Sequence, residues 1–278
     1  MITVIVPSFD RASQLDCFLR SMQKHWGISE LSIHILYKYS NEEFKAGYDL
    51  LRFMYRASPH VSFWQEQNFG EDFKALIRND DSFTMLATDD CVFFKPVTIT
   101  EERLREYFKT KDLHCYSLRL GENTIIQDYV TCSLQSELFN NHAFENEVCW
   151  NFKRHNQYSN YGYAFSLDMS IYHSEQLHYS IAPLNFESPR ALEHQLNVDK
   201  ELRSFIKSWM MSPVSSVGFV NTINCVQPNG PPAGTRHSYS VADLNKKFLA
   251  GRRISLSSFD HLIIMSCHEE VPLTFQDF

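Results

Sequence analysis

The chain has 278 residues, 44% hydrophobic and 21% charged, a composition that fits a globular protein with a sizeable core. Its net charge of −7 leaves no basic surplus for neutralising phosphates, which argues against a general nucleic-acid binder but not against a nucleotide ligand. The 7 Cys are scattered without CxxC pairs, so neither a disulfide framework nor a structural zinc site is indicated, and a reducing compartment is the simplest setting.

The chain opens on the apolar run Ile2-Thr3-Val4-Ile5-Val6 rather than a basic, then apolar leader. No signal peptide is expected, and no apolar stretch is long enough to span a bilayer. A soluble cytoplasmic protein is the expectation, with a peripheral membrane contact still compatible. Residues Thr3–Val6 read as a first strand stopped by Pro7-Ser8. A helix is expected from about Gln14, with Leu15, Phe18, Leu19 and Met22 at helical spacing and Ser13 as N-cap. Leu31–Tyr37 reads as a second strand. Ser40-Asn41-Glu42-Glu43 opens a second helix, with Phe44, Tyr48, Leu51 and Tyr55 facing inward. Val61–Trp64, Phe73–Ile77 and Phe83–Ala87 follow as a short strand, a short helix and a fourth strand. This alternation implies right-handed crossovers and a doubly wound, mostly parallel sheet.

Beyond residue 90, Thr100 caps a helix reaching roughly Lys109, and Leu113–Leu120 reads as a strand. Residues 123–162 show no period and are expected to be irregular. Their aromatics Trp150, Phe152, Tyr158 and Tyr161, with Tyr163, read as packing under a long loop, a sugar-stacking platform being the alternative. Tyr163–Tyr172 is strand-like, and Pro189–Phe205 reads as one helix with Pro189 in its first turn. Gln227–Thr235 is a Pro/Gly loop, Val241–Ala250 a helix ended by Gly251, and Leu262–Met265 a short strand. A single domain over 1–278 is expected, residues 1–98 forming a nucleotide-binding half and 99–278 an acceptor-side half.

The chemistry concentrates in Phe83-Thr84-Met85-Leu86-Ala87-Thr88-Asp89-Asp90, where two adjacent acids follow a buried strand. In open α/β sheets ligands sit at the carboxyl ends of the strands. Two carboxylates placed there repel each other unless a cation lies between them, so the pattern asks for a divalent metal and an anionic ligand.

Ile2-Thr3-Val4-Ile5-Val6-Pro7-Ser8-Phe9-Asp10-Arg11 resembles the first strand and loop of the inverting glycosyltransferases of family 2, which have the GT-A fold. Leu86-Ala87-Thr88-Asp89-Asp90 is similar to their DxD element in its Thr-Asp-Asp form, two βα units downstream. The resemblance covers about the first hundred residues. It implies a GT-A-type mixed, mostly parallel α/β sheet flanked by helices, and a metal-dependent, inverting transfer of a sugar. The donor would be a nucleotide-diphospho-sugar bound with Mn²⁺ or Mg²⁺, and the acceptor a hydroxyl on a glycan or lipid-linked glycan.

On this resemblance Pro7, Ser8 and Phe9 lie along the nucleobase, with Arg11 closing the same donor-binding loop. Asp89 sits near ribose and metal, and Asp90 is the direct metal ligand. No Asp follows the second strand in Leu36-Tyr37-Lys38-Tyr39-Ser40, which leaves base recognition unassigned. Asn68, Gly70 and Lys74 fall where the third βα loop would reach the nucleotide. Ser188-Pro189-Arg190-Ala191-Leu192-Glu193-His194 resembles the helix carrying the catalytic base, so Glu193 is the candidate base, with Asp168 as competitor or sugar-binding acid. His268 matches a late metal ligand, and Arg236 with His237 would clamp the diphosphate. Two other readings stay open. A nucleotidyltransferase should carry a Gly-rich basic loop after the first strand, which Pro7–Arg11 lacks; a non-catalytic nucleotide- or sugar-binding module fits the missing acid.

Overall fold

Alternate residues of the opening strand enter two different cores. In a computed structural model of the chain, β1 (Ile2–Phe9) sends Ile2, Val4 and Val6 into one cluster and Ile5 into another. The strand is therefore covered on both faces, which is why apolar residues occupy both of its faces rather than alternating with polar ones. The structure describes residues 1–278 apart from 137, 139, 145 and 227–232, and the backbone alone at 140–144.

The first face is closed by α1 (Ala12–His25), whose Leu15, Phe18, Leu19 and Met22 are all buried there. This helix starts earlier than expected. Its N-cap is Arg11, and Ser13 lies inside the first turn, its buried hydroxyl without a partner among the described residues. There follow β2 (Leu31–Lys38), α2 (Glu42–Tyr55), β3 (Val61–Gln65), α3 (Phe69–Leu76) and β4 (Phe83–Leu86). The carboxylic amide of Asn41 caps α2 by accepting from Glu43 N and Phe44 N. On the second face, Phe69 and Phe73 of α3 pack with Phe186, Leu192 and Leu196. A Cβ at Gly70 would stand 2.5 Å from the Phe186 carbonyl oxygen, so that packing explains the glycine without a ligand.

The remaining elements are β5 (Cys91–Phe93), α4 (Glu101–Thr110), β6 (Leu113–Ser117), β7 (Ile126–Asp128), β8 (Ser133–Leu134), β9 (Asn140–Phe144), β10 (Glu147–Asn151), β11 (Ser170–His173), α5 (Ser174–Ile181), α6 (Pro189–Val198), α7 (Lys200–Phe205), β12 (Trp209–Pro213), β13 (Gly218–Asn221), α8 (Val241–Leu249), β14 (Arg252–Ile254), β15 (His268–Glu269) and β16 (Phe275–Asp277). The main sheet has the order β3-β2-β1-β4-β11-β6-β12-β10-β9. The first four strands are parallel, β11 is antiparallel to both its neighbours, and β10 to both of its own. The sheet is therefore mixed but mostly one-directional, as expected. A smaller sheet, β15-β13-β5, continues from the acid pair.

Four expectations need correction. Residues 123–162 are not irregular throughout: β10 is paired on both edges within the main sheet, and Trp150 is buried, donating to the Tyr161 carbonyl. The strand-like run 163–172 is strand only from Ser170. Pro189–Phe205 is two helices, because Asp199 ends α6 and its carboxylate caps α7 through Glu201 N and Leu202 N. The strand expected at Leu262–Met265 lies instead at His268–Glu269. Of the Pro/Gly loop, residues 227–232 lie outside the described residues. Among the described residues no helix is long and apolar enough to cross a membrane.

Candidate active site

At the end of β1 the chain turns sharply. Asp10 adopts a left-handed conformation, φ 59°, which an Asp tolerates better than most residues, and its carboxylate accepts from Ser40 N at 2.8 Å. This turn places Arg11 at the mouth of α1, beside the carboxyl end of the adjacent parallel strand β4. Its Nη1 donates to Asp89 Oδ1 at 3.1 Å and to Asp90 Oδ2 at 2.9 Å, and its Nη2 to the Asn224 carbonyl. The cation demanded by the acid pair is therefore present, and it is a guanidinium. Ser8 Oγ donates to Asp89 Oδ2 at 2.8 Å and sits 2.7 Å from the Tyr48 hydroxyl. Both oxygens of Asp89 are thus engaged. Burial pushes the Asp89 carboxyl up to about 6, against the pull of Arg11.

The opposite wall is assembled by strand direction. Because β11 runs antiparallel to β4, with Ser170 opposite Leu86, the loop entering β11 lies beside the loop leaving β4. Asp168 therefore precedes its strand rather than ending it, and Thr88 Oγ1 donates to its Oδ1 at 3.0 Å. His268 arrives through the small sheet: it is opposite Val220 of β13, which is opposite Cys91. Its Nε2 lies 3.4 Å from Asp168 Oδ2, and its Nδ1 3.3 Å from Cys267 Sγ. Arg119 Nη1 donates to that sulfur at 2.7 Å. Although burial opposes its charge, Cys267 and Asp168 push the His268 imidazolium up to about 10. Burial raises the Asp168 carboxyl, but His268 and Arg119 outweigh it and hold the group below the usual range.

Glu193 stands on the second turn of α6, whose start is fixed by Ser188 Oγ accepting from Ala191 N and by Pro189 at the first position. Its Oε1 accepts from Leu167 N at 2.6 Å. Desolvation, then the nearby Asp168 charge, push its carboxyl up to about 7.

One cavity of about 640 Å³ joins these walls. Of the residues expected from the sequence, it is lined by Pro7, Ser8, Phe9, Arg11, Asp89, Asp90, Asp168, Glu193 and His268. Asn68, Lys74 and Arg236 do not line it among the described residues. Asn68 caps α3 by accepting from Glu71 N, Lys74 pairs with Glu71 at 3.2 Å, and Arg236 donates to the Tyr129 carbonyl. Each side chain is held by a partner outside the cavity. Tyr163 lines the cavity, whereas Trp150, Phe152 and Tyr161 are core residues and Tyr158 is exposed.

The sequence reading missed Lys38 and Glu66, a pair 2.9 Å apart at the ends of β2 and β3 on the cavity rim. It also missed Thr88 and Arg119. A lone charge between Leu118 and Leu120 was a usable signal for Arg119; its partner, 148 positions away, was not.

The expected metal set, Asp89, Asp90 and His268, is not gathered. Asp89 has both oxygens engaged by Ser8 and Arg11, His268 is turned to Asp168 and Cys267, and Asp90 shares one oxygen with Arg11. Among the described residues no group of three or more His, Cys, Asp or Glu could hold an ion. The donor set does not fit a hard cation that takes about six oxygens.

No family model matches the chain. A curated relative, the bifunctional glycosyltransferase pgtA of Dictyostelium discoideum, is 30% identical over 109 residues, which is 36% of this chain and 14% of that one. Residues 1–349 of TarS from S. aureus align with a TM-score of 0.44 at 15% identity, covering 77% of this chain and 58% of that one. The mannosyltransferase PcManGT from Pyrobaculum calidifontis, in complex with GDP-Man and Mn²⁺, aligns with a TM-score of 0.38 at 10% identity, covering 64% and 46%. The chain therefore spans only part of each of these proteins, and over that part it is similar to glycosyltransferases.

Proposed function

We propose that the chain is a glycosyltransferase that moves a sugar from a nucleoside-diphospho-sugar to an acceptor hydroxyl. The observation that carries this reading is the cavity in which the ends of β1 and β4 face a carboxylate poised near neutrality. The donor's nucleotide lies over the strand ends, between Phe9 and the Lys38–Glu66 pair, with its diphosphate toward Arg11. Glu193, pushed up to about 7, can take a proton at neutral pH. Asp168, tied to His268 and Thr88, is poorly placed to compete.

In the transfer step the acceptor oxygen bonds to the anomeric carbon as the bond from that carbon to the phosphate oxygen breaks. The bonding pair leaves with the nucleoside diphosphate, and the hydroxyl proton passes to Glu193. One basic carboxylate suits a single displacement with inversion. A glycan or lipid-linked glycan as acceptor rests on the family resemblance alone. The test is release of nucleoside diphosphate from a panel of UDP- and GDP-sugars, with water or simple glycosides as acceptor. Release from at least one donor above the protein-free rate is expected; none from any donor would overturn the reading.

A further inference from the structure

We propose that the chain supplies its own cation for the donor: the Arg11 guanidinium, seated between Asp89 and Asp90, holds the diphosphate in place of a divalent metal ion. This rests on the reading of the cavity as a nucleoside-diphospho-sugar site.

Arg11 is 8% exposed and lines the cavity, so it is buried by its neighbours yet borders the space a ligand would fill. Asp89, Asp90 and the Asn224 carbonyl fix its two terminal nitrogens, while its buried Nε–H has no hydrogen-bond partner among the described residues. What Arg11 offers a ligand is its charge at the cavity wall, and an anionic diphosphate is the group such a cation attracts most strongly. The same position works against a metal. An ion arriving at Asp90 would share that carboxylate with a guanidinium nitrogen 2.9 Å away, and like charges at that range repel. With Arg11 in place the two acids and the arginine together carry one negative charge rather than two.

Calorimetric titration of UDP and GDP into the wild-type chain, once in EDTA and once in Mn²⁺, tests the assignment, with Asp90→Asn and Arg11→Lys alongside. Expected is a Kd in EDTA within about threefold of that in Mn²⁺. Asp90→Asn should bind about threefold tighter, because a negative charge leaves the diphosphate's surroundings. Arg11→Lys should bind roughly tenfold more weakly, since a point charge loses the fork. Near-ultraviolet circular dichroism checks that both variants are folded. Binding that requires Mn²⁺ and disappears in Asp90→Asn would overturn the arginine assignment while leaving the glycosyltransferase reading intact. Binding of neither nucleotide in either buffer would overturn that reading and this one with it.

Discussion

On the wall formed by β1 and β4, Asp89 and Asp90 share a guanidinium at 3.1 and 2.9 Å, whereas on the wall formed by α6 and the β11 loop, Glu193 receives, among the described residues, a single backbone N–H and no direct cation. Both walls bury acids, and burial raises the carboxyl in each case where a shift is resolved for the buried acid. They differ in what burial meets. Arg11 restrains the rise at Asp89, while the charge of Asp168 adds to it at Glu193. A carboxylate that is to hold position is neutralised from within the chain; one that is to accept a proton is left short of a cation. The division of labour can be broken from either side.

The largest stability effect is expected at Arg11. Arg11→Ala leaves Asp89 buried without its cation and should cost about 3–5 kcal/mol, measured by urea unfolding at neutral pH. Asp89 already binds its proton more tightly in the folded chain, with a carboxyl at about 6, and the variant should raise it further. The folded state then holds more protons than the unfolded one, so the variant should recover stability as pH falls toward that value. A loss under about 1 kcal/mol would show that the acids are neutralised by something else.

A smaller effect is expected at Glu270, whose carboxylate accepts from Thr235 N, Arg236 N and His237 N at 2.7, 2.6 and 2.8 Å. Although partial burial opposes them, these bonds hold its carboxyl down to about 2. Its contribution is present above the ordinary value of 4.5 and is lost as pH falls toward 2. Glu270→Ala should lower stability by about 2 kcal/mol at neutral pH and flatten the acid slope of the unfolding curve. An unchanged slope would remove Glu270 as the anchor of the 235–237 segment.

The smallest effect is expected at Asp168. Removing its charge in Asp168→Asn should lower the Glu193 carboxyl, moving the acid limb of the rate profile down by about half to one pH unit while most of the rate remains. Loss of the reaction in this variant, with Glu193→Gln still active, would exchange the two roles.

The β1 and β4 side of this cavity was largely readable from the sequence, because strands buried on both faces are written as mostly apolar runs, and in β1 and β4 only a threonine interrupts the apolar residues before the strand end. The other side was not. In β10, Glu147 is buried through its pair with Arg103 at 3.0 Å, so a charged residue occupies a core position and hides the strand. In α6 and α7, Asp199 interrupts a helical pattern by capping, which the apolar spacing does not register. Asp168 and His268 were legible as chemistry but not as neighbours, since their meeting depends on an antiparallel insertion and a second small sheet. The role of Arg11 was half visible. Its place in the loop was read, but its position between the acids required the left-handed turn at Asp10.

The base assignment is tested most directly by following donor hydrolysis for the wild type and Glu193→Gln between about pH 5 and pH 9. Expected is a wild-type rate that rises through about 7, as Glu193 loses its proton, and a variant at least about a hundredfold slower with no such limb. A Glu193→Gln chain that keeps the wild-type rate and the same rise would contradict the proton-accepting role of that carboxylate.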